Sequence, residues 1–303
     1  TGPRRNQDDT GRTRLTANAR QVHATHKGDF GDVWVVGGQG MSQSGHAMTG
    51  AALLAGRAAL HAGAGRVFVV PLDGDRPIAV DLICPELMFR QPDMLTADTL
   101  PAGVWVCGCG GGQAVVQHLP ALLNHAAILV LDADALNAIA IDPALQQMVA
   151  ARASRQCVTV LTPHPLEAAR LLNTTASRIQ QDRLTASTTL ATQLNAVCVL
   201  KGSGTVIAAP GLLPTINPTG NAKLSTAGTG DVLAGMLGAA LAQHEAMARH
   251  EPATTAQTQT EALKAYFEVV CHTVWQHGHS ADVWPVNVHL SASDLIKAST
   301  LMP

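Results

Sequence analysis

The chain has 303 residues, of which 47% are hydrophobic and 14% charged, with 27 glycines, 16 prolines and a formal net charge of −2. So much apolar content with so little charge excludes a disordered chain, and the glycines fall far short of the one in three of a collagen. A near-neutral balance argues against a nucleic-acid partner, and Val232–Ala242, the longest uncharged apolar run, is shorter than the ~18 residues that mark a membrane span.

Residues 1–25 carry Arg4, Arg5, Arg12, Arg14 and Arg20 against Asp8 and Asp9, with few large apolar side chains. They read as a basic flexible tail ahead of one folded unit over 26–303. No basic segment followed by an apolar stretch opens the sequence, so a secretory leader is not expected. From Val33 onward, short apolar runs alternate with amphipathic stretches. Val33–Val36, Val67–Val70, Val104–Cys107, Ile128–Leu131, Val158–Leu161 and Val197–Leu200 are predicted as buried strands. Helical patterns fall near 46–62, 113–124, 143–153, 165–172 and 177–193, the third with Pro143 suited to a first helical position. Such alternation predicts an α/β protein: a three-layer α/β/α sandwich around a mostly parallel sheet. Val206–Ala209 and Leu212–Ile216 flank Pro210-Gly211 as a hairpin added to that sheet, with Pro214 confining the second strand to the edge. Past residue 226 the chain reads as helical, apart from His244–Thr260, whose Thr and Gln content predicts an inserted surface loop.

The six cysteines, Cys84, Cys107, Cys109, Cys157, Cys198 and Cys271, include one close pair and no second pair to complete a zinc site. Reduced core thiols and a cytoplasmic setting follow.

In an open α/β sheet, ligands lie at the C-terminal ends of the strands. Five glycine clusters fall there: Gly37-Gly38-Gln39-Gly40, Gly63-Ala64-Gly65, Gly108 to Gly112, Gly202-Ser203-Gly204 and Gly228-Thr229-Gly230. None completes a dinucleotide fingerprint, and no P-loop is present. Asn217-Pro218-Thr219-Gly220-Asn221 and then Ala222 to Asp231 lead into a helix with Val232, Leu233, Met236, Leu237 and Leu241 at helical spacing. Ala227, Gly228, Thr229 and Gly230 are therefore expected to offer backbone N–H groups to an anion at a helix N-terminus. Asp231 follows directly. An acid behind an anion-binding loop repels the anion unless it has a further task, which points to catalysis.

Gly228-Thr229-Gly230-Asp231 opening a helix resembles the signature of the ribokinase-like fold. A fuller set of stretches resembles its carbohydrate-kinase-related branch, the ADP-dependent NAD(P)H-hydrate dehydratases. These stretches are His26 to Gly31, Leu131 to Asn137, Leu161 to Glu167, Leu200 to Thr205, Asn217 to Asp231, His277-Gly278 with Asp282, and Ala292 to Ile296. The resemblance implies a lyase that repairs NADH or NADPH hydrate, using ADP or ATP with Mg²⁺ to phosphorylate the C6 hydroxyl before phosphate is eliminated. It implies Asp231 as the base, its pKa held low by the helix dipole, with Ala227 to Gly230 as the anion hole. Lys201, Gly202, Ser203, Gly204, Thr205 and Gly230 would contact the nucleotide. Ala51, Gly110, His164, Asn217 and Asp231 would contact the substrate, and Glu167 would hold Mg²⁺ through water or simply cap its helix. Asp132, Asp134 and Asn137 would support the site or only form a turn, and His277 and His279 are expected to pack rather than bind metal. A homo-oligomer, a tetramer, is implied, with NAD(P)H-hydrate epimerase activity on a separate partner chain or in a domain cut away from this one.

Departures from the family pattern are a longer stretch between Gly38 and Gly50 with Met48 in it, Gly108-Cys109-Gly110-Gly111-Gly112 in place of G-P-G-x-G, and Leu166 in place of glycine. Two other readings stay open at this point: a small-molecule kinase acting on a hydroxymethylpyrimidine, a thiazole alcohol or a sugar, and a nucleotide-binding regulator without catalysis.

Overall fold

The computed structural model describes residues 27–41, 45–74, 78–250 and 258–300. Strands covered on both faces are nearly continuous apolar runs, and the six four-residue runs meet that demand except at Thr159 of Val158–Leu161. In chain order the strands are β1 (Asp32–Gly37), β2 (Arg66–Pro71), β3 (Met88–Phe89), β4 (Val104–Cys107), β5 (Ile128–Leu131), β6 (Val158–Leu161), β7 (Val197–Leu200), β8 (Val206–Ala208) and β9 (Thr215–Ile216). They form one sheet in the order β3-β2-β1-β4-β5-β6-β7-β8-β9. Pairing is parallel up to β7 and antiparallel from β7 to β8 and from β8 to β9. The added hairpin thus lies where expected, its second strand cut to two edge residues after Pro214.

The helices are α1 (Thr49–His61), α2 (Leu119–His125), α3 (Ala133–Ile141), α4 (Pro143–Ala151), α5 (Pro165–Leu171), α6 (Ala176–Gln181), α7 (Arg183–Gln193), α8 (Thr229–His250), α9 (Gln259–Asp282) and α10 (Ala292–Thr300). Alternation along the strands divides the core. Val33 and Val35 of β1 face Ala55 of α1, Leu237 of α8 and Val270 of α9. Val36 instead joins Leu122, Leu136 and Leu190 beneath the helices of the opposite layer. Helices α1 and α8 pack closely because position 235 is glycine: a Cβ there would fall 2.0 Å from the Ala55 carbonyl oxygen. This contact ties the head of α8 to the sheet where β1 and β4 part, the switch point at which α/β sheets hold ligands.

Several local expectations change. The stretch with Asp132, Asp134 and Asn137, left open between site support and a turn, forms helix α3, which starts after Asp132 in extended conformation. The helix expected over 177–193 breaks into α6 and α7 because the Asp182 side chain accepts from Thr185 N and restarts the helix. The stretch near 113–124 opens as a 3₁₀ segment, Gly112–His118, before α2 begins. The polar segment 244–260 is no loop over its first part, since α8 continues to His250. Its polar residues belong to a helix pair: His244 lies edge-on to Tyr266 of α9, whose hydroxyl donates to Glu245. Residues 251–257, the tail 1–25 and residues 42–44 of the 38–50 stretch lie outside the described residues.

Arg152 is fully buried and makes no ion pair among the described residues. Its guanidinium donates to Thr159 Oγ1 at 2.8 Å and to the carbonyls of Leu123 at 3.0 Å, Val158 at 3.1 Å and Leu122 at 3.3 Å. Two of these carbonyls belong to the last turn of α2, where orphan acceptors and the helix dipole favour a cation. Burial lowers its pKa to about 10, which leaves it charged at neutral pH. Replacing Arg152 with Met keeps the volume and strands the carbonyls. Urea unfolding is expected to show a loss of about 3 kcal/mol, and an unchanged midpoint would refute this role.

Candidate active site

Four side chains meet at the C-terminal ends of β4, β5 and β7 and the head of α8. Lys201, just past β7, donates from Nζ to Asp132 Oδ1 at 2.7 Å. The same oxygen accepts from Thr162 Oγ1 at 2.7 Å, and Asp132 Oδ2 faces the Cys109 thiol at 3.9 Å. Asp231 in the first turn of α8 completes the group: one ligand atom from each of Cys109, Asp132 and Asp231 lies within 4.8 Å of the others. Burial works against the charge on Lys201, but Asp132 and Glu167 more than offset it, so its pKa is raised.

Asp231 departs from expectation. Burial and then the Asp132 charge raise its pKa to about 7, against smaller opposing effects of Cys109 and Lys201. The positive end of a helix carries about half a charge. Desolvation and a carboxylate within a few ångströms are stronger. Burial, with the two nearby carboxylates, also raises the Cys109 thiol well above its usual range, so it stays a neutral donor.

The loop before α8 is held from both sides. Thr229 Oγ1 donates to the Leu224 carbonyl at 2.7 Å and the Thr226 carbonyl at 2.9 Å. His277 Nε2 lies 2.9 Å from the Thr229 carbonyl. A carbonyl only accepts, so Nε2 carries the proton, and burial lowers this histidine to about 4, keeping it neutral. His164 caps α5 with Nδ1, which accepts from the Leu166 and Glu167 amides, both at 3.1 Å. Its Nε2 therefore donates to Glu167 Oε1 at 3.1 Å, while Glu167 Oε2 accepts the His164 amide at 2.8 Å. Glu167 is a buried capping acid whose pKa burial raises.

Lys201, Gly202, Ser203, Gly204 and Thr205 line a cleft of about 420 Å³ together with Asn217, Thr229, Gly230 and His277. The expected nucleotide residues thus share one cleft. A Cβ on Gly230 would sit 3.4 Å from Lys201 Nζ. Asn217, expected on the substrate, lines this cleft too, with its amide donating to the Thr219 carbonyl at 3.1 Å. Ala51 and Gly110 meet each other: a Cβ on Gly110 would fall 2.9 Å from that of Ala51. Cys109 and His277, expected only to pack, come to the site, and Asp132 takes the supporting place among its two expected ones. Their signal was position, each near a strand end or beside the anion loop.

The family model for NAD(P)H-hydrate dehydratase matches residues 33–301. The chain belongs to this family. It is 38% identical over 264 residues to the ADP-dependent (S)-NAD(P)H-hydrate dehydratase of Neisseria meningitidis, covering 86% of this chain and 79% of that protein. It is 40% identical over 225 residues to the bifunctional NAD(P)H-hydrate repair enzyme Nnr of Escherichia coli, covering 72% of this chain and 40% of that longer protein. The ADP/ATP-dependent NAD(P)H-hydrate dehydratase of Bacillus subtilis, co-crystallised with ATP and Mg²⁺, superposes with a TM-score of 0.68 at 27% identity, over 92% of this chain and 91% of its own. The ribokinase-like α/β sandwich is therefore the fold of the family, and the Asp231 cluster sits within the matched span.

Because the folded-state pKa of Asp231 is raised, the folded protein holds that proton more tightly than the unfolded chain. Its stabilising contribution is complete below the ordinary aspartate pKa near 4 and is lost as pH rises through about 7. Asp231→Asn removes the titration. Its melting temperature is expected to gain on the wild type progressively between pH 4 and pH 7 and to hold that lead above. A gap independent of pH would show that Asp231 titrates normally.

Proposed function

We propose that this chain dehydrates (6S)-NADH or NADPH hydrate to NADH or NADPH at the expense of ADP or ATP. The reading rests above all on a carboxylate whose pKa is raised to about 7, directly behind Gly230, which lines one cleft with Lys201 to Thr205. A general base works best with a pKa near the operating pH. Asp231 takes the proton of the C6 hydroxyl as that oxygen attacks the terminal phosphorus and the bond to the nucleotide breaks. Lys201 and the amides of Ala227 to Gly230 carry the charge developing on the transferred group, a type of contact worth roughly 3 kcal/mol per well-placed donor. The nitrogen lone pair of the ring then expels phosphate from C6, and loss of the C5 proton restores the dihydropyridine. His164 presents its ring to the substrate from the cap of α5.

Mg²⁺ prefers hard oxygen donors and binds through few carboxylates, keeping much of its water. Glu167 fits that role through water, with both carboxylate oxygens already oriented by His164. The Cys109 thiol does not. When bound, the ion supplies charge neutralisation on the phosphates.

All six cysteines are free thiols, which supports a reducing, cytoplasmic setting, and no described helix is long and apolar enough to cross a membrane. The same reading includes a homotetramer and an epimerase partner that supplies the reactive epimer. Exposed Leu82 and Ile83, on a loop fixed by the Arg57–Asp81 pair, support self-association.

Hydrated NADPH incubated with ADP and the protein is expected to regain its near-ultraviolet dihydronicotinamide absorbance. The rate should fall below an apparent pKa near 7. Asp231→Asn is expected to lose about 10²–10⁴-fold in kcat while still binding ADP. A stable phosphorylated product without return of the band would favour a small-molecule kinase instead.

A further inference from the structure

Arg183 breaks two local rules. It occupies the first turn of α7, where the helix dipole disfavours a cation. Its Nε is also buried without a hydrogen-bond partner among the described residues. Such breaches of local consistency cluster at functional sites. The rest of its guanidinium grips the loop after β7. Nη2 donates to the carbonyls of Leu200 at 2.9 Å and Lys201 at 3.2 Å, and Nη1 donates to the Ser203 carbonyl.

Peptide geometry turns these contacts into an orientation. In a trans peptide the C=O and the following N–H point in opposite directions. The Leu200 carbonyl faces Arg183, and the Lys201 amide accordingly points the other way, to Pro163 O at 2.8 Å. By the same geometry the Lys201 and Ser203 carbonyls, drawn to Arg183, send the amides of Gly202 and Gly204 away from it. Both glycines line the cleft. Among the described residues neither amide donates to a protein acceptor. Gly202 holds φ at +142°, and a Cβ on it would meet Arg183 Nη2 at 2.9 Å, so guanidinium and glycine fit only each other.

We infer that Arg183 is a positioning residue for nucleotide binding: it holds the carbonyls of the Lys201–Thr205 loop so that the Gly202 and Gly204 amides face nucleotide oxygens in the cleft. The inference rests on the dehydratase reading and names how its nucleotide loop is shaped. A planar fork holds these three carbonyls in a fixed geometry. An ammonium supplies a point charge without that geometry.

The test is calorimetric titration of ADP and ATP into wild type, Arg183→Ala and Arg183→Lys, with melting temperatures and turnover measured alongside. Wild type is expected to bind, and Ala to bind about tenfold or more weakly, with low guanidinium restoring part of the affinity. Lys is expected to be weakened as well, and the loss should fall on the nucleotide KM far more than on kcat. Should Ala fail to fold, the Lys variant with a melting temperature near that of wild type decides. Wild-type affinity in a folded Ala or Lys variant would overturn the positioning role, and a loss confined to kcat would do the same. Absence of nucleotide binding by the wild type would overturn the dehydratase reading and the inference with it.

Discussion

The pair between Lys201 and Asp132, made at 2.7 Å with Asp132 wholly buried, is the contact on which the rest of the site depends. Its partners come from the ends of β7 and β5, and β6 between them supplies Thr162 to the same carboxylate oxygen. A buried pair of this kind adds little net stability, yet removing one partner costs about 3–5 kcal/mol by stranding the other charge. Its value here is geometric and electrostatic. It fixes a carboxylate beside Asp231, which that charge then helps to hold near neutrality. It also fixes Lys201, the first residue of the loop that lines the cleft. The pKa of Asp231 and the placement of that loop therefore depend on one contact.

The sheet makes that contact possible at low cost in polar burial. Strands β4 to β7 are fully apolar apart from Thr159, and α8 buries Val232, Leu233, Met236 and Leu237. Charge is left at the strand ends and at the first turn of α8, on either side of the crevice where β1 and β4 part. The close approach of α1 to α8 at Gly235 sets the helix whose first turn carries Asp231 against the sheet. Gly230, just before Asp231, lines the cleft of Lys201 to Thr205.

Much of this was legible in the sequence, for identifiable reasons. The six strand runs are apolar except at Thr159, and the structure keeps all six, with β1 and β2 extended by a residue at each end. Gly228-Thr229-Gly230-Asp231 could be placed at a helix head because the apolar spacing begins at Val232. Helix α3 was not legible: Asp132 and Asp134 carry turn chemistry, and only the tertiary pull on Asp132 shows that it starts a helix. The break between α6 and α7 hides in Asp182, a cap that looks like an ordinary polar residue inside a helical pattern. For 244–250, Thr and Gln content farther along outweighed Ala246, which packs inward. The pKa of Asp231 was misjudged because the helix dipole is visible in sequence, while the distance to Asp132 is not.

Two helix heads at this site carry side chains that helix electrostatics alone would not choose in this form. Asp231 heads α8 as an acid whose surroundings resist its ionisation, and Arg183 heads α7 as a cation at the positive end. Each arrangement costs stability locally, and each adjoins a glycine that lines the same cleft, Gly230 beside Asp231 and Gly202 against Arg183. A fold selected for stability alone would place an easily ionised acid at both positions, for the dipole rewards it. The inversion makes sense once a polyanion is expected between them. A nucleotide needs amides turned outward, which Arg183 arranges through the carbonyls without presenting its own charge. The proposed reaction needs a base that still wants its proton, and the raised pKa of Asp231 suits that need. Marginal stability leaves room for such departures where the core elsewhere is well packed. Here it does so with little surface charge, since the chain meets an anionic ligand largely through its backbone.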